Sequence, residues 1–254
     1  MKPQHPIDYV LHLADNALVL GHRNSEWTGH GPILEQDIAL SNIALDLIGQ
    51  ARYLYQYAAR LMNVTGDAKQ EVTEDILAYL RDSWDFRNCL LVEQANGDWG
   101  KTVLRQFLFS AYQYFFYREG SRDAELAAIA EKSLKEVTYH LRWSSEWVIR
   151  LGNGTEESHS RMEKALDQLW MYTGELFLPA DYEQSLAQAG IAVDLAAIQP
   201  LWEERVREVL TEATLTIPAS AMQKGGKQGR HTEQLGYLLA EMQFLQRAYP
   251  DCEW

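Results

Sequence analysis

Residues 33–62 read ILEQDIALSNIALDLIGQARYLYQYAARLM, and this stretch decides the fold. Ile38, Ile43, Leu47, Ile48, Ala51, Leu54, Tyr55, Ala58 and Met62 keep one apolar stripe at the helical period, and no proline interrupts it. At a rise of about 1.5 Å per residue the spacing predicts a helix roughly 40 Å long, the length of a bundle helix. Upstream, Ile7, Val10, Leu11, Ala14 and Leu18 mark a first helix that Gly21 is expected to stop. Downstream, Asn63 to Gln70 is a polar break, and Thr73 can cap a short helix through Leu80. Ala95-Asn96-Gly97-Asp98-Trp99-Gly100 is a turn cluster, followed by a third long helix from Thr102 to Arg118.

A fourth helix starts at Asp123 and runs to Leu151, with Gly152-Asn153-Gly154 ending it through residues that tolerate positive φ. A fifth covers Ser158 to Thr173, and Pro179 closes the short segment after it. Asp194 can cap a turn ahead of Pro200, which suits the first turn of a helix through Ala213. Thr214-Leu215-Thr216-Ile217-Pro218 is the one β-like patch, and its proline limits it. Lys224 to Arg230 is a basic glycine loop, and Thr232 caps a final helix through Ala248. The expected architecture is all-α: a four-helix bundle with additional helices, one domain over residues 1–254.

A chain of 254 residues can bury roughly 70–75% of its unfolded surface, and 46% hydrophobic with 23% charged residues is an ordinary globular composition. The 36 acidic against 23 basic residues give a formal charge of −13, which repels phosphate backbones and argues against nucleic acid as a partner. Cys89 and Cys252 cannot staple a domain of this size and fit a reducing cytoplasm. Met1-Lys2-Pro3-Gln4-His5-Pro6 lacks the charged-then-apolar pattern of a signal peptide, and the most apolar run, Phe107 to Tyr117, carries Gln113 and is too short to span a membrane.

A long-helix bundle invites a test for a di-iron carboxylate centre, which needs a Glu on each of two helices and Glu-x-x-His on each of the other two. The literal match, Glu156-Glu157-Ser158-His159, sits at a helix start, where glutamates favour the positive helix end without any metal. Asp46-Leu47-Ile48-Gly49 has glycine where histidine belongs, and Glu136-Val137-Thr138-Tyr139 has tyrosine there, with His140 one residue late. Without a metal, Glu136 and His140 are expected to join Arg142 or Arg52 in a hydrogen-bonded network, since buried charge needs pairing. The bundle reads as a metal-binding one without its metal. The aromatic third helix, with Phe107, Phe109, Tyr112, Tyr114, Phe115, Phe116 and Tyr117, is either core or a partner surface. The Lys224–Arg230 loop lacks the GxxxxGK[ST] pattern and reads as solvated, able to meet a phosphate or an acidic partner; His231 belongs to the following helix start.

Several ordered strings carry a resemblance. They are Gly29-His30 with Glu35, the run Asn42 to Arg52, and Leu91-Val92-Glu93-Gln94 with Asn96-Gly97. Lys135-Glu136-Val137 with Tyr139-His140-Leu141-Arg142, Leu151-Gly152-Asn153-Gly154-Thr155, and Gly225-Gly226-Lys227 with His231-Thr232-Glu233 come after them. Together, over nearly the whole chain, they resemble the structural-subunit family of the bacterial ring 1,2-phenylacetyl-CoA epoxidases, the multicomponent oxygenases of phenylacetate degradation. The resemblance implies a ferritin-like fold and a homologous catalytic subunit whose di-iron centre activates O2 and epoxidises the ring of phenylacetyl-CoA. It also implies a reductase component, with flavin and an iron–sulfur cluster, drawing electrons from NADPH. The chain itself would scaffold that partner and hold neither metal nor other cofactor.

The resemblance further implies contact with the CoA ester, for which Asp85-Phe86-Arg87-Asn88 and, second, Gln184-Ser185-Leu186 are the expected segments. Lys224, Lys227 and Arg230 could instead face the acidic partner or the CoA phosphates. Two rival readings stand beside this one. One is a di-iron oxygenase in its own right, using Glu136, His140, Asp46 and Glu35. The other is a free-standing bundle that binds an acyl-CoA.

Overall fold

The computed structural model of the chain describes residues 6–65, 71–250 and Cys252; the stretch Met1 to His5, part of the polar break (66–70) and Trp254 lie outside the described residues. Among the described residues the elements are α1 (Ile7–Ser25), α2 (Leu34–Thr65), α3 (Glu74–Tyr79), α4 (Leu90–Glu93), α5 (Trp99–Glu119), α6 (Ala124–Gly152), α7 (Glu156–Leu169), α8 (Asp181–Gln188), α9 (Leu195–Glu212), α10 (Glu233–Met242) and α11 (Phe244–Ala248), with no strand.

Four of these form the bundle. Tyr55 of α2 meets Asp15 while Ala44 lies beside Gly21, so α1 and α2 are antiparallel. Asn24 bonds Gln106 and Tyr9 packs on Phe116, so α5 is antiparallel to α1. On α6, Asp123 meets Tyr57 and Trp147 meets Gln36, which makes α6 antiparallel to α2. α2 and α5 therefore run parallel, and the connection between them crosses the length of the bundle. Two antiparallel pairs joined by one long crossover is the ferritin-like arrangement. Side chains of one face of each helix fill the centre: Ala14 and Leu18, Ile43 and Leu47, Val103 and Phe107, Val137 and Val148 are buried.

The caps follow sequence chemistry. Thr73, Asp98, Asp123, Thr155 and Asp194 each accept a backbone N–H from the first turn of the helix they precede. Asp98 opens α5 at Trp99, earlier than Thr102, because the cap overrides the turn composition around it. The fifth helix likewise starts at Glu156 and gives way after Leu169 to 3-10 turns.

Other expectations are corrected. Gly21 does not stop α1; a Cβ there would stand 3.0 Å from Cγ1 of Ile48 and 3.3 Å from the Ala44 carbonyl, so glycine is needed for close approach of α1 to α2. Ile38 is 51% exposed, because it lies off the face that Ile43, Leu47 and Leu54 turn inward. Pro200 sits in the second turn of α9. Residues 214–218 form no strand, and Thr214 has a positive φ of 58°. Thr232 precedes a helix that breaks at Gln243 before α11. The aromatic α5 is core: α1 and α6 cover one side and α7 and α9 the other, so Phe107, Phe109, Tyr112, Phe116 and Tyr117 are all buried.

Gly152 and Gly154 have no positive φ. Gly152 is required because a Cβ would fall 2.3 Å from the Ala213 carbonyl oxygen, where α6 meets the end of α9. Gly152→Ala, a change that ordinarily favours a helix, is expected to lower stability by about 2–3 kcal/mol. Urea unfolding checks the sign.

Candidate functional site

In a bundle of this topology the facing positions of the long helices are where carboxylates and imidazoles converge on a metal pair. α2 brings Asp46 and Gln50 to this place, and α6 brings Glu136 and His140, each pair one turn apart. The antiparallel helices pair them as two rungs: Asp46 Oδ2 lies 2.9 Å from His140 Nε2, and Gln50 Nε2 donates to Glu136 Oε2 at 2.9 Å. From α5, Gln113 Nε2 and the Tyr117 hydroxyl both donate to Gln50 Oε1, at 3.4 and 3.3 Å. Further along, Asn24 donates to Gln106 at 2.6 Å, and Gln106 donates to Ser110. Burial pushes the Tyr117 hydroxyl pKa up, which keeps it a neutral donor.

This donor set does not fit a di-iron pair. Four carboxylates and two imidazoles would be needed, and the facing positions supply two carboxylates, Asp46 and Glu136, and one imidazole, His140, beside amides and a hydroxyl. Among the described residues no group of three or more His, Cys, Asp or Glu is placed to hold a metal ion. Nothing lies within 4 Å of where a Cβ on Gly49 would be, and Tyr139 is 38% exposed, so the i+3 position of both motifs has left the interior. Glu35 precedes Asp46 by three helical turns, a rise of about 16 Å, too far to share a metal with it. His159 bonds the Gly152 carbonyl at 2.7 Å and closes the end of α6. The expected role of Arg52 or Arg142 is corrected: Arg52 reaches Glu74 at 3.6 Å, and Arg142 lies over the Tyr139 ring. Gln50 and Asp46 take their place, because they stand directly across from Glu136 and His140.

Buried charge gathers elsewhere, around the segment from Arg81 to Glu93. Glu93 Oε1 accepts from the Thr232 N–H at 2.6 Å and its hydroxyl at 2.8 Å, while Oε2 accepts from Asn88 at 2.8 Å and His231 Nδ1 at 2.7 Å. His231 Nε2 donates to the Phe86 carbonyl at 3.0 Å. Glu175 accepts from the backbone N–H groups of Leu90 and Gly225, at 2.7 and 2.6 Å. Glu183 accepts from the Ala180 N–H at 2.7 Å and from Lys227 Nζ at 3.0 Å, and Lys227 also donates to the Leu178 carbonyl. Asp15 of α1 takes Tyr55, Arg81 and the Arg87 N–H. Asp15 thus ties the 81–87 segment to the bundle, and the three glutamates tie the 225–232 loop to the segments beside it.

The basic loop is not solvated as expected: Lys227 is 1% exposed, because Gly225 and Gly226 let the backbone approach Arg230 and Asn88 closely enough to bury it. Lys224 and Arg230 remain exposed. His231 turns back to Glu93 instead of serving the next helix.

The two segments expected near CoA are brought together by His12 of α1, whose Nδ1 donates to the Arg87 carbonyl at 2.6 Å and whose Nε2 is 3.9 Å from Glu183. Burial lowers the His12 pKa and keeps it neutral. Phe86, Asn88 and Leu186 are fully packed, Arg87 and Ser185 are half-buried, and Asp85 and Gln184 are exposed. The carboxylates Glu93, Glu175 and Glu183 went unrecognised in the sequence. Their one signal was a glutamate closing the apolar run Leu90-Leu91-Val92.

Burial alone would lower the His231 pKa, but the Glu93 carboxylate and the Phe86 carbonyl outweigh it and raise it. The clamp's contribution is therefore full below about pH 6.5 and is lost as pH rises through the higher folded-state value. The stability difference between the native chain and His231→Gln should shrink from pH 6 to pH 9 (about the His titration range) in urea midpoints. A pH-independent difference would contradict the clamp.

A family model described as "Phenylacetic acid catabolic protein" matches residues 1–254. The chain is 47% identical over 249 residues to a subunit of the 1,2-phenylacetyl-CoA epoxidase of Escherichia coli (strain K12), an alignment covering 97% of this chain and 98% of that one. The family match spans both the Gln50 rungs and the Glu93 clamp, and the chain belongs to the phenylacetic acid catabolic protein family.

Proposed function

We propose that the chain is a non-catalytic, scaffolding subunit of a phenylacetyl-CoA ring-epoxidising monooxygenase in aerobic phenylacetate catabolism. It works as one domain in a reducing cytoplasm, without a cofactor of its own. Its partners are a homologous catalytic subunit that holds the di-iron centre and a reductase component; phenylacetyl-CoA is met through the complex. The carrying observation is the donor set between α2, α5 and α6: Asp46, Glu136 and His140 are joined to the amides of Gln50 and Gln113, short of the four carboxylates and two imidazoles of a di-iron centre. The same observation tells against a di-iron oxygenase in its own right. The relative's name, that of one subunit of an epoxidase, supports the multisubunit setting. No helix among the described residues is long and apolar enough to cross a membrane.

A scaffold needs a face for its partner, and α2 offers one. Leu34, Ile38 and Leu45 are 70, 51 and 66% exposed. At about 100° per residue they fall on one stripe, opposite the face that buries Ile43, Leu47 and Leu54. Apolar stripes of this kind on a folded surface mark interaction sites. The catalytic subunit docks there. Of the segments near His12, the side chains that reach solvent, Asp85, Arg87 and Gln184, contact the CoA ester.

In a reconstituted complex, Leu45→Glu should weaken partner affinity tenfold or more, about 1.4 kcal/mol, with normal folding of the free chain. Glu136→Gln should leave the turnover of the assembled complex unchanged. Unaltered affinity in the first variant, or lost turnover in a normally assembled second, would overturn the reading.

A further inference from the structure

At the start of α5, two recesses adjoin and share Arg161 of α7. One, of about 310 Å³, is lined by Trp99, Gly100, Leu151, Thr155 and Ser158. The other, of about 280 Å³, is lined by Lys101, Lys164, Gln168 and the Gly97 turn. The first sets Trp99, Gly100 and Leu151 beside the polar Thr155, Glu157 and Ser158; the second is mainly basic. Together they have the size and mixed lining of a small-molecule site.

The charge at this corner is unusual for a chain of net charge −13. Lys101, Arg161 and Lys164 face the groove, with Asp98 and Glu157 as the acids there. Arg161 pairs with Glu157 at 2.5 Å and lies 3.9 Å from Asp98. One turn below Lys101, Arg105 is wholly buried and donates to neutral acceptors, the Gln94 carbonyl and Asn96 Oδ1, with its Nε unpartnered. Burial and the neighbouring Arg23 push its pKa down to about 9, and Glu26 alone opposes them. Burial and Arg105 lower Lys101 as well. A buried cation without a carboxylate is costly, and Arg105 adds to the positive charge at the end of α5 that carries Lys101.

We propose that this two-part groove binds a nucleotide, with its phosphates between Lys101, Arg161 and Lys164 and its planar ring in the Trp99 recess. Lysine and arginine are ordinary phosphate donors, and the half-buried Trp99 indole, packed edge-to-face with Trp27, Trp143 and Trp147, gives the other recess an aromatic wall. Such a moiety occurs both as a free nucleotide and as the adenosine phosphate end of CoA. The groove is built by α5 and α7, apart from the α2 stripe, so nucleotide binding here is independent of the scaffolding role.

Calorimetric titration of the full chain with ADP, adenosine 3′,5′-bisphosphate, CoA, adenosine and inorganic phosphate tests it. The nucleotides and CoA should bind saturably, with adenosine and phosphate each at least tenfold weaker. Lys101→Gln combined with Lys164→Gln should weaken nucleotide binding at least tenfold while far-UV circular dichroism is unchanged. Lys164 is exposed, so Lys164→Gln alone, expected to weaken binding severalfold, covers a double variant that misfolds. Tighter binding of CoA than of ADP would make CoA the source, and equal binding a free nucleotide; both support the site. No saturable binding, undiminished binding by the variants, or phosphate alone binding as tightly as ADP would overturn it.

Discussion

The side-chain amide of Gln50 is the contact on which the middle of the bundle depends. It donates to Glu136 of α6 and accepts from Gln113 and Tyr117 of α5, joining three of the four long helices at one point. Polar groups in a helical interior must be satisfied by something, and where a metal pair would draw carboxylates together, an amide satisfies its neighbours in both directions without adding charge. An ionised carboxylate at Gln50 would face Glu136 at hydrogen-bond distance, and two carboxylates there repel unless a cation lies between them. An amide at Gln50 thus leaves Glu136 without a second charge that a metal would have to balance.

Away from the two rungs, buried carboxylates hold the loops. Glu93 and Glu175 accept backbone N–H groups from segments far apart in sequence, Glu183 meets the Lys227 side chain, and together they fasten the 225–232 loop and the 86–90 segment in place. Charge-assisted bonds to backbone donors are stronger than neutral ones, so these loops are fixed in place. A subunit whose task is to present a defined surface benefits from that rigidity. The Leu34–Ile38–Leu45 stripe lies on α2, whose inner face is locked against α1 through Gly21 and against α6 through the two polar rungs.

Much of this was legible in the sequence. The period of residues 33–62 required a long helix, and Asp123 and Thr73 marked helix starts that the structure keeps. The glycine after Asp46 and the tyrosine after Glu136 already departed from the metal-binding pattern. Features that depend on distant neighbours were not legible. Gly21 looks like a stop signal until Ile48 is known to lie against it, and Lys227 looks solvated until Glu183 is known to meet it. Arg52 and Arg142 were the neighbouring cations the sequence offered Glu136. Gln50 and Asp46 displaced them because cross-helix position, which periodicity does not give, sets the pairing.

The central claim is that the donor set between the long helices holds no metal pair, and iron content measures it most directly. The full chain, produced with ample iron and purified without chelator, is predicted to carry no stoichiometric iron, whether free or separated from its complex. About two irons per chain, the pair a di-iron centre needs, would make Glu136 and His140 ligands and contradict the account.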